Sequence, residues 1–147
     1  MAVTVARLFL AVSTAALLAG CTTMNQTAQL EPAPVAPAIA IPQGTGIFAQ
    51  TSPLPFEAPD FSKITDADYL PAIEQGMAIQ RAEIEVIASN PAAPTIENTL
   101  AAMERSGQML TRALTAFYAV VGANTNNTLD AIEKTVSPKL AAHSDAI

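Results

Sequence analysis

The sequence predicts an all-α protein. Between Thr65 and Ile147, large apolar residues recur at spacings of three and four along three segments. Asn90-Pro91 and the turn-rich stretch Gly122 to Asn127 separate these segments, which implies helical hairpins. Everything before Ser52 is either a short apolar leader or rich in proline and alanine, and neither composition builds a helical core.

Residues 1–20 read as a signal peptide. Arg7 and the amino terminus supply its positive charge, and Leu8 to Leu18 is apolar but far short of the roughly 20 residues that a bilayer span needs. Leu18-Ala19-Gly20-Cys21 looks like a bacterial lipobox. Small residues let the backbone enter a peptidase cleft, and the sulfur of Cys21 is a nucleophile that can take up a lipid. An ordinary secretory signal cleaved nearby is the plainer alternative. A lipidated Cys21 would anchor the chain in the cell envelope, and Thr22, rather than an aspartate, directs the expectation to the outer membrane, facing the periplasm. Cys21 has no second cysteine to pair with, so packing alone must stabilise the fold.

Residues 21–51 read as a disordered tether, since Glu31-Pro32-Ala33-Pro34-Val35-Ala36-Pro37 and Pro42 favour extended backbone. From Ser52 to Phe61 prolines persist, but Leu54, Phe56 and Phe61 suggest a strap laid on a folded body. The helical region is expected to fill residues 52–147.

Its first helix starts where Thr65 precedes Asp68 by three, a hydroxyl and a carboxylate placed to cap. Pro71 predicts a short turn before the main helix, which runs from about Leu70 to Ser89 with Leu70, Ile73, Met77, Ile84 and Ile87 on one stripe. Thr95 caps the second, and Leu100, Met103, Gly107, Leu110, Leu114, Phe117 and Val121 form an unbroken seam, with Gly107 permitting close approach. A third begins after Asn127 or Thr128. Leu129, Ile132, Val136 and Leu140 face its core, and Pro138 is expected to disturb or divide it. No convincing cap precedes Ile147, which suggests truncation.

Composition limits function. With residues 1–20 removed, 6 basic side chains face 13 acidic ones, a formal charge of −7, so nucleic acid is not an expected partner. No HExxH pair, phosphate-cradling glycine loop or nucleophile elbow is present. His143 is the single histidine, expected on the surface or as a cap, whereas a catalytic zinc takes about three protein ligands. Glu97 and Glu104 share a helix face, Glu83 and Glu85 do not, and none is assigned acid–base work. Met77, Met103 and Met109 read as core or near-core fillers. Asn25-Gln26-Thr27 and Asn126-Asn127-Thr128 fit a glycosylation sequon, without meaning behind a bacterial lipobox.

Four blocks in order carry a family resemblance. Leu54-Pro55-Phe56-Glu57-Ala58-Pro59-Asp60-Phe61 with Tyr69-Leu70-Pro71-Ala72-Ile73-Glu74-Gln75-Gly76-Met77 resembles the opening of the bacterial peptidyl-dipeptidases, relatives of thimet oligopeptidase and oligopeptidase A. Pro94-Thr95-Ile96-Glu97-Asn98-Thr99-Leu100 with Met103-Glu104-Arg105-Ser106-Gly107 is similar to the next block, and Gly122-Ala123-Asn124-Thr125-Asn126 and Pro138-Lys139-Leu140-Ala141-Ala142-His143-Ser144-Asp145 continue it. The resemblance implies a largely helical zinc metallopeptidase, with a channel for short peptides. Residues 52–147 would form an amino-terminal wall of that channel. The family's HExxH helix and third glutamate ligand lie beyond Ile147, so no catalytic, cofactor or metal residue carries over. Zinc and short peptides are implied only for a complete enzyme, whose carboxyl-terminal catalytic region would be this segment's partner. The alternative is a non-enzymatic helical lipoprotein acting as an interaction module.

Overall fold

The computed structural model describes residues 38–147, and these are helical with no strand among them. The elements are α1 (Asp66–Ala88), a wide π-helical turn (Ile96–Ala101) running into the single α-turn α2 (Ala102–Arg105), α3 (Gln108–Asn124) and α4 (Asn127–Ser144), with a short 3-10 turn at Pro55–Glu57. The all-α prediction holds. The leader and Cys21 lie outside the described residues.

Helix α1, the π-helical turn and α4 each start on a polar cap, whereas α3 starts on Gly107. The Thr65 amide and hydroxyl both donate to Asp68 Oδ2, at 2.7 Å each. Thr95 Oγ1 accepts from the Asn98 amide while Asn98 Oδ1 accepts from the Thr95 amide. Asn126 Oδ1 accepts from the amides of Thr128 and Leu129. Such caps satisfy amide donors that a helix start otherwise leaves unpaired.

Side-chain ties fix the helix directions. Glu83 Oε2, late in α1, accepts from the Gly107 amide at the start of α3, so α3 returns antiparallel along α1. Asn126 reaches back to Asp66 Oδ2, Lys139 pairs with Glu74, and His143 meets Gln80, so α4 runs parallel to α1. Helix α1 is the common surface on which both neighbours pack. The core joins Ile73 and Ala72 of α1 with Leu110, Ala113 and Phe117 of α3 and Leu129, Ile132 and Val136 of α4.

Glycine sets the closest contact. A Cβ at Gly76 would stand 2.7 Å from Leu110 Cα and 2.8 Å from its nitrogen, so the α1 and α3 backbones approach only because that side chain is absent. The sequence reading placed close approach at Gly107 alone. There a Cβ would meet the Gln80 side chain at 2.4 Å, but the larger role of Gly107 is its φ of 70°.

Four expectations need correction. The second seam is not continuous, because Ser106 is extended and Gly107 left-handed, so the chain turns between α2 and α3. Only the later part of that seam is covered, with Leu110 and Phe117 buried and Leu114 and Val121 half-buried; Leu100 is 60% exposed and Met103, expected as a filler, 47%. Pro71 and Pro138 lie inside continuous helices rather than at breaks. A proline removes one intrahelical donor, and neighbouring turns with their own bonds carry the helix across. Finally, residues 45–49, within the expected disordered tether 21–51, are held against the helices. Phe48 is 5% exposed and stacks at 5.8 Å on Tyr69, which in turn meets Phe117 edge-on at 5.3 Å. Gln75 Oε1 accepts from the amide and hydroxyl of Thr45, and Arg112 donates to the Phe48 and Ala49 carbonyls. One aromatic ring and four hydrogen bonds hold what proline content alone would leave loose.

Candidate functional site

Two concave surfaces stand out, and each is built by a departure from regular helix. The first, about 380 Å³, lies between residues 47–64 and α3. Phe48, Pro53 and Phe56 give it apolar walls, and Thr111, Arg112 and Thr115 face them from α3. Phe56 and Glu57 both carry positive φ, 59° and 58°, and the Phe56 ring stands fully in solvent at 103% exposure. A non-glycine residue in that region costs about 1–2 kcal/mol, which the surrounding prolines offset in part by restricting the unfolded chain.

Three of the four charged residues that line this cleft, Arg112, Lys63 and Asp60, are already engaged. Arg112 holds the Phe48 and Ala49 carbonyls at 3.0 and 3.1 Å. Lys63 Nζ lies 2.8 Å from Asp60 Oδ2, and Ser62 Oγ donates to Asp60 Oδ1. Together these hold the Asp60 carboxyl below the usual carboxylate range, the Lys63 hydrogen bond most of all. A carboxylate so stabilised is a poor proton carrier near neutrality.

The second concave surface, about 320 Å³, lies between α1 and α2. It is lined by Gln80, Ile84, Met103, Glu104, Ser106 and Ile147. Ile96 and Leu100, at 77% and 60% exposure, continue the apolar character along the π-helical turn. Arg105 Nη2 bridges back over that turn to Glu97 Oε1 at 2.7 Å, putting a charged rim beside the apolar face.

The sequence singled out few chemical residues, and the structure does not assemble them. Glu97 is bound to Arg105, and Glu83 accepts from the Gly107 amide. Glu104 and Glu85 are exposed. His143 is the exception to its expected surface place: it is 4% exposed, with Nε2 2.8 Å from Gln80 Oε1 and Nδ1 unpaired. Burial first, and then the nearby Arg81 charge, push its pKa below the ordinary histidine value. The preceding turn of α4 hides the ring against α1, which its position four residues from the chain end could not reveal. Tyr69 is also held in its neutral form, its phenol pushed up by burial and by Asp66 and Asp68.

Among the described residues no group of three or more histidine, cysteine, aspartate or glutamate side chains could hold a metal ion. Among those residues, too, no helix is long and apolar enough to cross a membrane. Gln80 and Arg112, which organise the two concave surfaces, carried no motif in the sequence; only their position beside the apolar stripes could have marked them.

No family model matches the chain. Among curated proteins it is 44% identical over 103 residues to a dipeptidyl carboxypeptidase of Salmonella typhimurium, covering 70% of this chain and 15% of that protein. It is 43% identical over 94 residues to a dipeptidyl carboxypeptidase of Escherichia coli, covering 64% of this chain and 14% of that one. The chain thus spans about 15% of the length of these relatives.

Proposed function

We propose that this chain is an amino-terminal helical region of a zinc-dependent peptidyl-dipeptidase, of the kind related to thimet oligopeptidase and oligopeptidase A. In this reading it forms part of the wall of a channel that admits short peptides. The observation that carries the proposal is the 44% identity to a dipeptidyl carboxypeptidase across most of this chain. The helical fold agrees with it, as do the concave walls on its surface. Zinc and the residues that activate water belong, in this reading, to another part of the enzyme, and the segment's own work is to shape and exclude. Channel walls do so by limiting which peptides reach a buried centre and by keeping bulk water out.

A segment exchange tests the proposal. The E. coli dipeptidyl carboxypeptidase carrying residues 38–147 of this chain in place of its own matching segment should release dipeptides from peptide carboxyl ends. A rate within about tenfold of the parent, roughly 1.4 kcal/mol in barrier, is the expected result. A folded exchange protein without that activity would refute it.

The same reading places the protein in the cell envelope, lipid-anchored through Cys21 and facing the periplasm. Its support is the run Leu18-Ala19-Gly20-Cys21 behind an apolar stretch with Arg7 in front. Cys21→Ser should shift the protein from the membrane to the soluble fraction, and an unchanged membrane fraction would count against the anchor.

A further inference from the structure

We infer that the exposed apolar face formed by Ile96, Leu100 and Met103, with Ile147 beside it, is an internal docking surface that the remaining body of the peptidase covers. The inference rests on the proposed function and adds where the segment meets the rest of the enzyme. Ile96, Leu100 and Met103 follow at spacings of four and three, the pattern of a buried helix face, yet they are 77%, 60% and 47% exposed. Apolar side chains grouped in this way mark an interaction site more often than scattered single ones do.

The left-handed Gly107 separates this face from the core. It turns α3 inward, where Leu110, Ala113 and Phe117 are buried, and leaves the preceding π-helical turn and α2 outside. Winding into a π-turn costs stability relative to α-helix, and such turns cluster where a chain is shaped for contact. Polar groups accompany it: the Glu97–Arg105 pair spans the π-helical turn, and Glu104 lines the groove beside Met103. An apolar centre with a charged rim is the anatomy of a protein interface.

One observation selects the occupant. The matched segment is 15% of the Salmonella relative, so most of such an enzyme lies elsewhere in its chain and must be held against this part.

The test uses the segment exchange in the E. coli enzyme with Leu100→Asp and Met103→Asp introduced together. In the 147-residue protein both sites are exposed, so the pair should leave its helical signal and melting temperature essentially unchanged. In the exchange enzyme the pair should lower dipeptide release by about tenfold or more, because charges would then have to be buried. Hydrogen exchange gives a readout free of substitutions. Amides of residues 96–103 should exchange about tenfold or more slowly in the unsubstituted exchange enzyme than in the 147-residue protein. Equal exchange rates in the two proteins, or full activity of the doubly substituted enzyme, would overturn the inference. So would a 147-residue protein that dimerises and is returned to monomer by the same pair, since a second copy would then be the occupant. An unsubstituted exchange enzyme that folds without activity would instead refute the proposed function.

Discussion

At His143 the environment favours an uncharged ring: α4 buries it, Gln80 takes one nitrogen, and Arg81 opposes a second positive charge nearby. Its pKa is thus lower folded than unfolded. The unfolded chain takes up the proton first, so the stabilisation is complete above the unfolded value, near 6.5, and is lost as pH falls through the folded value. Urea midpoints at pH 7.5 and 5.5 should therefore differ more for the wild type than for His143→Leu. Equal differences would show that the ring titrates as it does in the unfolded chain. Arg112 has a different task. Its guanidinium closes the leading segment onto α3 through the Phe48 and Ala49 carbonyls. Charge-assisted bonds contribute about 1.5–3 kcal/mol each, so Arg112→Met, which removes two, should destabilise by about 3 kcal/mol or more and speed amide exchange over residues 45–49. A destabilisation without faster exchange there would place the loss elsewhere.

Among the elements, α1 depends on what Gly76 lacks. Ala is the better helix former by about 1 kcal/mol, yet a Cβ at 2.7 Å from Leu110 Cα forces two backbones apart. Overpacking of this kind costs about 1–3 kcal/mol, and backbone atoms cannot move aside as a side-chain tip can. Gly76→Ala should therefore lower stability on balance, and a raised melting temperature would show that α3 can shift freely. Helix α4 makes the opposite case. Pro138 is exposed and leaves the Lys134 carbonyl without its usual donor, so Pro138→Ala should raise stability by about 1 kcal/mol or more. Denaturant unfolding of the two proteins reads the difference. Caps were the most legible features at this scale, because Thr65 and Thr95 act on neighbours three residues away, although the third helix starts on Asn126, ahead of the expected Asn127 or Thr128. Helix ends set by proline were misread, since whether a helix bridges a lost donor depends on the packing around it.

For the whole molecule, local chemistry fixes less. The two dipeptidyl carboxypeptidases are 44% and 43% identical to it over 70% and 64% of its length, while it spans about 15% of theirs. Leu100 and Met103 are patterned like core residues but lack a cover among the described residues. Substitution at such exposed positions is expected to stay within about 0.5 kcal/mol for the 147-residue protein, measured by denaturant unfolding. A larger loss from Leu100→Asp would mean that the face already supports the fold.

The sequence by itself determined the helical class, the caps, the later half of the apolar seam and the character of the relatives, because spacing, hydroxyl–carboxylate pairs and ordered motifs are local or linear properties. Tertiary structure alone decided that Gly76 is the contact point, that Gly107 bends the chain, that Phe48 belongs to the core and that His143 is buried. Each of those depends on a residue more than twenty positions away: Leu110 for Gly76, Gln80 and Glu83 for Gly107, Tyr69 for Phe48, and Gln80 for His143. Periodicity along one chain says which face is apolar, but only a partner brought across space says whether that face is covered.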